Sequence, residues 1–266
     1  MRRIGATSLV LVMVCTSILS GLVGSLTAEE TAKARAESRL LTTPDGLSWA
    51  DPVRITNNNV DNAYPTLAVD SGSNAHILYY SNGQDFKYQK WQRPGKQVVK
   101  ETQIVSAAMT FQHAGYGSTI AQPTERIGID GEENIHVVWA TGQWGSNQYQ
   151  KFSNTGKPIS QVIDPSPTAQ TPQLPYLGVG KNNYAYVGTE QEGGGENGEL
   201  TRIDKKFNTQ MVNVKTYTEG VSLVVDNWND DNVQFFTRTW SGTGIFHSKF
   251  TADLQMTVSP MRSTLA

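Results

Sequence analysis

Apolar and polar residues alternate in four short stretches that recur along the chain. The stretches cover residues 66–70, 126–130, 176–180 and 222–226, and their last residues are 60, 50 and 46 positions apart. In each stretch the second and fourth residues are apolar, as Leu67 and Val69 are in the first. A period of two with branched side chains is typical of a β-strand. The residue between them is mostly small, which is expected where inner strands crowd near an axis: Ala68, Gly128, Gly178 and Val224.

Each stretch is followed by a turn rich in Gly, Asn and Asp, which supply the positive φ angles that tight hairpins need. An apolar run comes next, at residues 75–80, 135–140, 184–187 and 232–236. Because these runs are apolar on both faces, they are predicted to be second strands that lie between two packed sheets. Third strands fit residues 86–91, 148–152, 199–204 and 244–250. Fourth strands fit 97–105, 158–163, 209–216 and 255–259.

Four short antiparallel strands per unit, repeated roughly every fifty residues, are typical of propeller blades. No segment after residue 40 shows a strong helical period. The sequence therefore predicts an all-β fold, a β-propeller-like array of four-stranded antiparallel blades with four recognisable repeats. A fifth blade and an incomplete ring both stay open, because residues 49–56 are predicted to form an outer strand that lacks three inner partners.

The N-terminus has the order of an export signal. Arg2 and Arg3 precede an uncharged apolar stretch from Ile4 to about Leu26, and small residues follow before Glu29. This order predicts a secretory signal, although the stretch is also long enough to be an uncleaved anchor. The predicted organisation is a signal peptide or membrane anchor at 1–28, a linker at 29–44 and a β-propeller-like domain at 45–266. The protein is expected to be secreted or at the cell surface.

Composition excludes some classes of function. The 266 residues carry a formal net charge of −2, and only 17% are charged, which argues against a nucleic-acid binder and against a long charged disordered region. The single cysteine, Cys15, lies in the apolar N-terminal stretch. The chain after cleavage would therefore contain no disulfide.

One segment resembles a known family. The run Thr43-Pro44-Asp45-Gly46-Leu47-Ser48-Trp49, followed by Tyr64-Pro65-Thr66-Leu67-Ala68-Val69-Asp70, resembles the bacterial neuraminidase (sialidase-type) repeat propellers. Repeats of that family carry an Asp box, Ser/Thr-x-Asp-x-Gly-x-Ser/Thr-Trp. Here the residue between Asp45 and Gly46 is missing and the other units lack the box, so the chain resembles a degenerate member. The box is a structural turn in that family, and no position matches the family's catalytic arginine triad, Tyr/Glu pair or acid Asp.

The predicted topology places two kinds of connection at one end of the array: those from second to third strands and those between blades. Connecting loops on a rigid scaffold commonly carry function, and an exposed Trp beside polar residues suits stacking on a sugar ring. The ligand-binding residues predicted there are Trp144, Trp240, Arg238, His113, Tyr116 and Arg126. The alternative interpretation is that Trp144 and Trp240, at similar places in two units, fill the gaps between blades.

Metal and cofactor chemistry is weakly indicated. His76 and His136 share one repeated position in the second strand, which favours packing or an interblade hydrogen bond over metal ligation. No cofactor is expected. The acidic turns, such as Asp70 with Asn74, could hold calcium through oxygen ligands, but none has a strict calcium-loop spacing, so turn formation is the default interpretation.

The leading functional interpretation is an exported β-propeller binding module that recognises a glycan or a surface protein through its loop face. A divergent sialidase-like glycoside hydrolase or lyase is one alternative, and a structural subunit of a surface assembly is another. A glycosidase needs two carboxylates about 5–10 Å apart. Three of the acidic residues at the loop face lie in the Gly-rich segment 190–197, so enzymatic activity is not the favoured reading. Nucleic acid is excluded as a partner, a membrane would be met only through an uncleaved N-terminus, and oligomerisation through open blade edges stays open.

Overall fold

The computed structural model describes residues 41–42, 48–49, 52–82, 85–92, 95–106, 127–140, 147–166, 172–191, 197–215, 220–227, 230–238 and 244–263. The chain divides into two compact units, Met1–Asn59 and Val60–Ala266. In the first unit, β1 (Leu41–Thr42) pairs antiparallel with β2 (Ser48–Trp49). Residues 52–56 lie in no strand, so the outer strand predicted at 49–56 is wrong for that part of it.

The second unit consists of antiparallel sheets that follow one another along the chain. Blade 1 contains β3 (Asn62–Val69), β4 (Ala75–Ser81), β5 (Asp85–Gln92) and β6 (Lys96–Val105). Blade 2 contains β7 (Ile127–Ile129), β8 (Ile135–Ala140) and β9 (Asn147–Phe152). Blade 3 contains β10 (Pro172–Val179), β11 (Ala185–Gln191), β12 (Asn197–Ile203) and β13 (Thr209–Lys215). Blade 4 contains β14 (Gly220–Asp226), β15 (Asn232–Arg238), β16 (Ile245–Phe250) and β17 (Met256–Ser263).

The fourth strand predicted for blade 2, at residues 158–163, is reduced to two isolated bridges, Tyr149 with Ile163 and Phe152 with Pro158. Between the bridges the backbone N–H of Ile159 still donates to the carbonyl of Lys151 at 2.9 Å, and the side chain of Ser160 takes the place of the other backbone bond. Its Oγ accepts a hydrogen bond from the backbone N–H of Lys151 at 2.9 Å. A side chain that satisfies the backbone in this way competes with a regular strand.

Apolar clusters fill the three seams between neighbouring blades. Blades 1 and 2 share a cluster that includes Leu78 and Val137, blades 2 and 3 share one that includes Tyr149 and Leu177, and blades 3 and 4 share one around Leu223. The second strands lie between two sheets, as their two-sided apolar pattern predicts, and all of β4 after Ala75 is buried. The predicted all-β, propeller-like array of antiparallel blades is therefore confirmed.

Inner strands approach each other closely where the sequence has its small residues. A Cβ added at Gly128 would lie 2.3 Å from Cγ2 of Val179 in the next blade, and one at Gly178 would lie 2.3 Å from Cδ1 of Leu223. Only glycine allows this spacing between the sheets. Val224 occupies the same position in blade 4 and is 52% exposed.

The blades have two ends, named here by their connections. The turn end carries the turns from first to second strands and from third to fourth strands. The loop end carries the connections from second to third strands and those between blades, because antiparallel strands alternate in direction. In the part of the chain that the structure describes, no helix has the length and apolar character of a membrane span.

Candidate functional site

A fully buried polar quartet connects the strands of blade 1 near the turn end. The carboxylate Oδ2 of Asp70 accepts hydrogen bonds from Nε2 of His76 at 3.0 Å and from Nζ of Lys90 at 2.8 Å. The hydroxyl of Tyr88 lies 2.9 Å from Nδ1 of His76. The other carboxylate oxygen, Oδ1, accepts from the backbone N–H of Asn74 at 2.8 Å, which closes the turn.

Blade 2 contains the same quartet at the equivalent positions. Oδ2 of Asp130 accepts from Nε2 of His136 at 3.1 Å and from Nζ of Lys151 at 2.6 Å. The hydroxyl of Tyr149 lies 2.7 Å from Nδ1 of His136. Oδ1 of Asp130 accepts from the backbone N–H of Asn134 at 2.8 Å.

The hydrogen bonds determine the protonation of each quartet. An ionised carboxylate only accepts, so Nε2 of the histidine carries the proton and Nδ1 faces the tyrosine hydroxyl as an acceptor. In blade 1 the single O–H proton of Tyr88 is shared between Nδ1 of His76 and the carbonyl oxygen of Asn154. Burial lowers the pKa of His76 and His136, which keeps both rings neutral. Burial alone would raise the pKa of Asp70 and Asp130. The hydrogen bonds that these carboxylates accept from lysine, histidine and asparagine outweigh that effect and hold both pKa values well below the usual range.

Blades 3 and 4 carry altered versions of the quartet. The histidine position is Tyr186 in blade 3, and its hydroxyl donates to the carbonyl of Ala252 in blade 4 at 3.0 Å. In blade 4 the same position is Gln234, whose Oε1 lies 2.7 Å from Nε2 of His247. The side chain at this position is polar, hydrogen-bonded and at least partly buried in all four blades. It connects neighbouring parts of one blade or, in the case of Tyr186, two blades. His76 and His136 are packed in the interior, which agrees with the first of the two predicted roles. Their described hydrogen bonds lie within one blade, whereas the second predicted role was a bond between blades.

The turn end is held together by hydrogen bonds between blades. Asn183 in blade 3 donates from Nδ2 to the Glu132 carboxylate of blade 2 at 2.8 Å, and its Oδ1 accepts from the Glu132 backbone N–H at 3.2 Å. Asp231 in blade 4 accepts from the backbone N–H groups of Lys181 and Asn182 at 3.0 and 2.8 Å. Of the acidic turn residues considered for calcium, Asp70 and Asp130 are hydrogen-bonded in the quartets and Asp231 is hydrogen-bonded at this joint. Among the residues that the structure describes, no group of three or more His, Cys, Asp or Glu could hold a metal ion.

The four inner strands line one axial cleft of about 260 Å³. Its described walls are made by Val, Ile, Leu, Ala and Gly, with Asn227 as the one polar residue within those described ranges. The cleft is therefore apolar where the structure describes it. The described walls supply no hydrogen-bonding side chain other than Asn227, so they would leave most hydroxyl groups of a sugar without a partner.

The loop end is where the sequence places its candidate ligand residues. Trp144, Trp240, His113, Tyr116 and Arg126 lie outside the described residues. Arg238 is the last residue of β15, and its backbone is paired with Gly220 and Ile245 at the loop end, where it was expected. The structure therefore leaves the predicted set of six untested as a site.

A set of buried polar residues, which sequence reasoning missed, lies between blades 2 and 3. We call this set the seam cluster; it consists of Asn147, Ser166, Thr189, Glu199 and Thr201. Four of the residues are toward the loop end, and Thr201 lies two residues before the turn-end terminus of β12. All five residues are at most 2% exposed. Nδ2 of Asn147 donates to Oγ1 of Thr189 at 3.3 Å, and the hydroxyls of Thr189 and Ser166 lie 2.9 Å apart. Thr189 pairs with Glu199 across β11 and β12, which places both side chains on the face toward blade 2.

Two buried polar atoms of the seam cluster have no hydrogen-bond partner in the part of the chain that the structure describes. They are Oδ1 of Asn147 and Oγ1 of Thr201. A buried polar atom without a partner costs about 1–3 kcal/mol, so such atoms usually meet water or a ligand. Aligning equivalent blade positions in the sequence would have exposed the cluster, because the preceding seam has aromatic residues there.

Comparisons with known proteins support the fold. The sequence matches no family model and no curated protein. Among solved structures, a protein of unknown function from Dyadobacter fermentans superimposes with a TM-score of 0.54 at 10% identity, over 83% of this chain and 69% of that one. The BP39L lectin from Burkholderia pseudomallei superimposes with a TM-score of 0.55 at 11% identity, over 81% of this chain. This chain spans 60% of that lectin's length.

An α-L-arabinofuranosidase from Clostridium thermocellum is also similar, with a TM-score of 0.44 at 12% identity, over 74% of this chain and 72% of that one. Identities this low show the fold and not the activity. The class that the structure defines is therefore the β-propeller. The resemblance to sialidase-type repeats remains a resemblance, because these comparisons support propellers in general.

Proposed function

We propose that this protein is an exported carbohydrate-binding module that recognises a glycan at the loop end of its propeller. The observation that carries the proposal is the difference between the two ends. Hydrogen bonds between blades occupy the turn end, such as those of Asp231 to Lys181 and Asn182. The loop end carries the long connections between strands and the polar seam cluster, which makes it the better place for a variable binding surface.

The similarity in fold to the BP39L lectin supports a sugar ligand over other small molecules. The described chemistry also favours binding over hydrolysis. A glycosidase needs two carboxylates about 5–10 Å apart on either side of the scissile bond. Within the described walls of the axial cleft there is no carboxylate. The Asp–His–Tyr sets resemble catalytic groupings, but both are buried and repeated, which is the behaviour of structural hydrogen bonds.

The test is a glycan array probed with the secreted protein, run beside fluorogenic glycosides and a mass measurement in solution. Saturable glycan binding without turnover supports the proposal. Turnover of a glycoside would favour the hydrolase, and a stable multimer with neither property would favour a structural subunit.

Point variants locate the binding end. Trp144→Ala and Trp240→Ala are expected to weaken glycan binding while the melting temperature is retained, because both residues belong to loop-end connections. Trp91→Ala is the matched control. Trp91 is a half-buried tryptophan near the turn end of β5, and its Nε1 donates to Oε1 of Gln89 at 2.9 Å. Its loss should leave binding unchanged. Equal binding by all three variants would overturn the loop-end site.

A further inference from the structure

We propose that the seam between blades 2 and 3 is the pocket that receives the ligand, and that the ligand is neutral and rich in hydroxyl groups. This inference rests on the proposed carbohydrate-binding function and narrows it to one seam and one chemical class. It comes from a comparison of equivalent positions in two neighbouring seams, together with two buried polar atoms that have no partner among the residues that the structure describes.

The seam between blades 1 and 2 shows how such a position is filled when it is purely structural. Tyr80 and Phe86 stack edge to face there, with ring centroids 5.2 Å apart. Trp139 of blade 2 belongs to the same buried cluster. Three aromatic side chains therefore close this seam toward the loop end.

The next seam has small and polar residues at the same three positions. The strand registers make Ala140 and Asn147 the equivalents of Tyr80 and Phe86, because each pair joins a second strand to a third strand at the loop end. Thr189 stands where blade 2 has Trp139. Replacement of three aromatic groups by Ala, Asn and Thr removes much of the apolar filling and substitutes hydrogen-bonding groups.

The substituted groups do not satisfy one another. Nδ2 of Asn147 reaches Thr189, but Oδ1 has no partner among the described residues, and reversing the amide would only transfer the unpaired state to the nitrogen. Oγ1 of Thr201 likewise has no partner within the described part of the chain. Both residues are fully buried. Buried atoms of this kind are normally bonded, so the seam suits hydrogen-bonding atoms that the described residues do not supply.

The chemistry of the seam cluster selects the class of ligand. Its groups are one carboxylate, one carboxamide and three hydroxyls, so it both donates and accepts, as ligand hydroxyls do. None of its five members is cationic, so the cluster offers no positive charge to pair with an anion. A neutral sugar or polyol therefore fits the cluster, and a sialylated, sulfated or phosphorylated glycan does not.

Two members of the seam cluster lie near the proposed binding end. Asn147 begins β9, and Thr189 lies two residues before the end of β11, so both are near the loop end of their blades. Thr201 lies deeper in the seam, two residues before the turn-end terminus of β12. A substituent of the ligand enters at the loop end and reaches the cluster along the seam.

The experiment is isothermal titration of the full secreted protein with methyl glycosides of fucose, galactose, mannose and glucose, and with a sialyl glycoside as the anionic probe. Thr201→Val is the informative variant. It removes a hydroxyl that has no partner among the described residues, so the melting temperature should hold or rise. Ser248→Ala is the matched control, because Ser248 is the buried residue at the equivalent position of blade 4.

The expected result is binding of at least one neutral glycoside, about a fivefold to tenfold loss of affinity in Thr201→Val, and no loss in Ser248→Ala. Equal affinity of Thr201→Val and the unaltered protein would overturn the seam pocket, leave the carbohydrate-binding function intact and assign ordered water to the cluster. Binding of the sialyl glycoside alone would likewise overturn only the seam inference. Binding of no glycoside by the unaltered protein, on the array or in titration, would overturn the proposed function and the seam pocket with it.

Discussion

The hydroxyl of Tyr88 in blade 1 lies 3.1 Å from the carbonyl oxygen of Asn154 in blade 2. Tyr186 in blade 3 lies 3.0 Å from the carbonyl of Ala252, the equivalent residue of blade 4. The two tyrosines belong to different strands of their blades, β5 and β11. In both cases a tyrosine hydroxyl binds the same turn of the following blade, although the tyrosine belongs to a different strand each time. We infer that this bond between blades is part of the propeller's architecture.

Tyr88→Phe should lower the free energy of unfolding by about 1–3 kcal/mol, because it leaves Nδ1 of His76 and the carbonyl of Asn154 without their partner. Urea denaturation measures the change. Tyr149→Phe is the comparison, since its described bond is to His136 within the blade. A smaller loss in Tyr88→Phe than in Tyr149→Phe would contradict the interblade role.

Stability should fall as the pH is lowered below about 6.5. Burial lowers the pKa of His76 and His136 from 6.5, so the unfolded chain binds protons more readily than the folded one. The contribution of neutral histidine is therefore complete above pH 6.5 and is lost as the pH falls toward the folded-state pKa. Protonation would place a further positive charge beside Lys90 or Lys151, with Asp70, Asp130, the two tyrosine hydroxyls and Glu133 as the other groups facing the rings.

Urea midpoints between pH 8 and 5 measure this dependence. The double variant His76→Gln, His136→Gln should flatten it, because glutamine is the residue that blade 4 uses at this position and it does not titrate. The carboxylates add a second loss at lower pH. Their pKa values are depressed in the fold, so their contribution is present above 3.8 and disappears as the pH falls below it. A midpoint that rises between pH 7 and pH 5 would contradict this account.

Gly128→Ala and Gly178→Ala should each destabilise the fold by about 1–3 kcal/mol, because the added Cβ meets the side chain of the next blade's inner strand. Thermal melting measures the effect. Val224→Ala tests the same register where no neighbouring strand is so close, and it should change the free energy of unfolding by less than about 0.5 kcal/mol. Equal effects in all three variants would contradict the close packing of the inner strands.

Asp231→Ala should destabilise the joint between blades 3 and 4, since the Asp231 carboxylate accepts two backbone hydrogen bonds from Lys181 and Asn182. A loss of about 1–3 kcal/mol is expected from urea titration. Asp253→Ala provides the contrast, because Asp253 is exposed and its ion pair with Arg202 lies at the surface. A surface pair contributes about 0–1 kcal/mol. Near-equal losses would show that the Asp231 bonds are not specific to the blade joint.

Much of the fold follows from local pattern. The alternation in residues 66–70 and its three repeats predicts the inner strands, and the two-sided apolar runs predict the buried second strands, because both signals arise within one element. The fourth strand of blade 2 could not be predicted in this way. There the side chain of Ser160 takes a backbone donor of the neighbouring strand, a contact that no local pattern in the sequence indicates.

The quartets show which members of a buried site a sequence repeat predicts and which it does not. Aspartate precedes histidine by six residues in both blades, at Asp70 and Asp130, so the sequence contained a sign of a shared role. The partners Lys90 and Lys151 are set by the register between second and third strands, which the sequence alone does not supply. The seam cluster is harder still, since its members come from two blades and meet only when the sheets pack.

A crystal structure of the protein with a bound neutral methyl glycoside tests the central claim most directly. We predict that the sugar lies at the loop end, with one of its hydroxyls within hydrogen-bond distance of Asn147 Oδ1 or Thr201 Oγ1. A sugar bound at the turn end or inside the axial cleft, with the seam cluster filled by water alone, would contradict it.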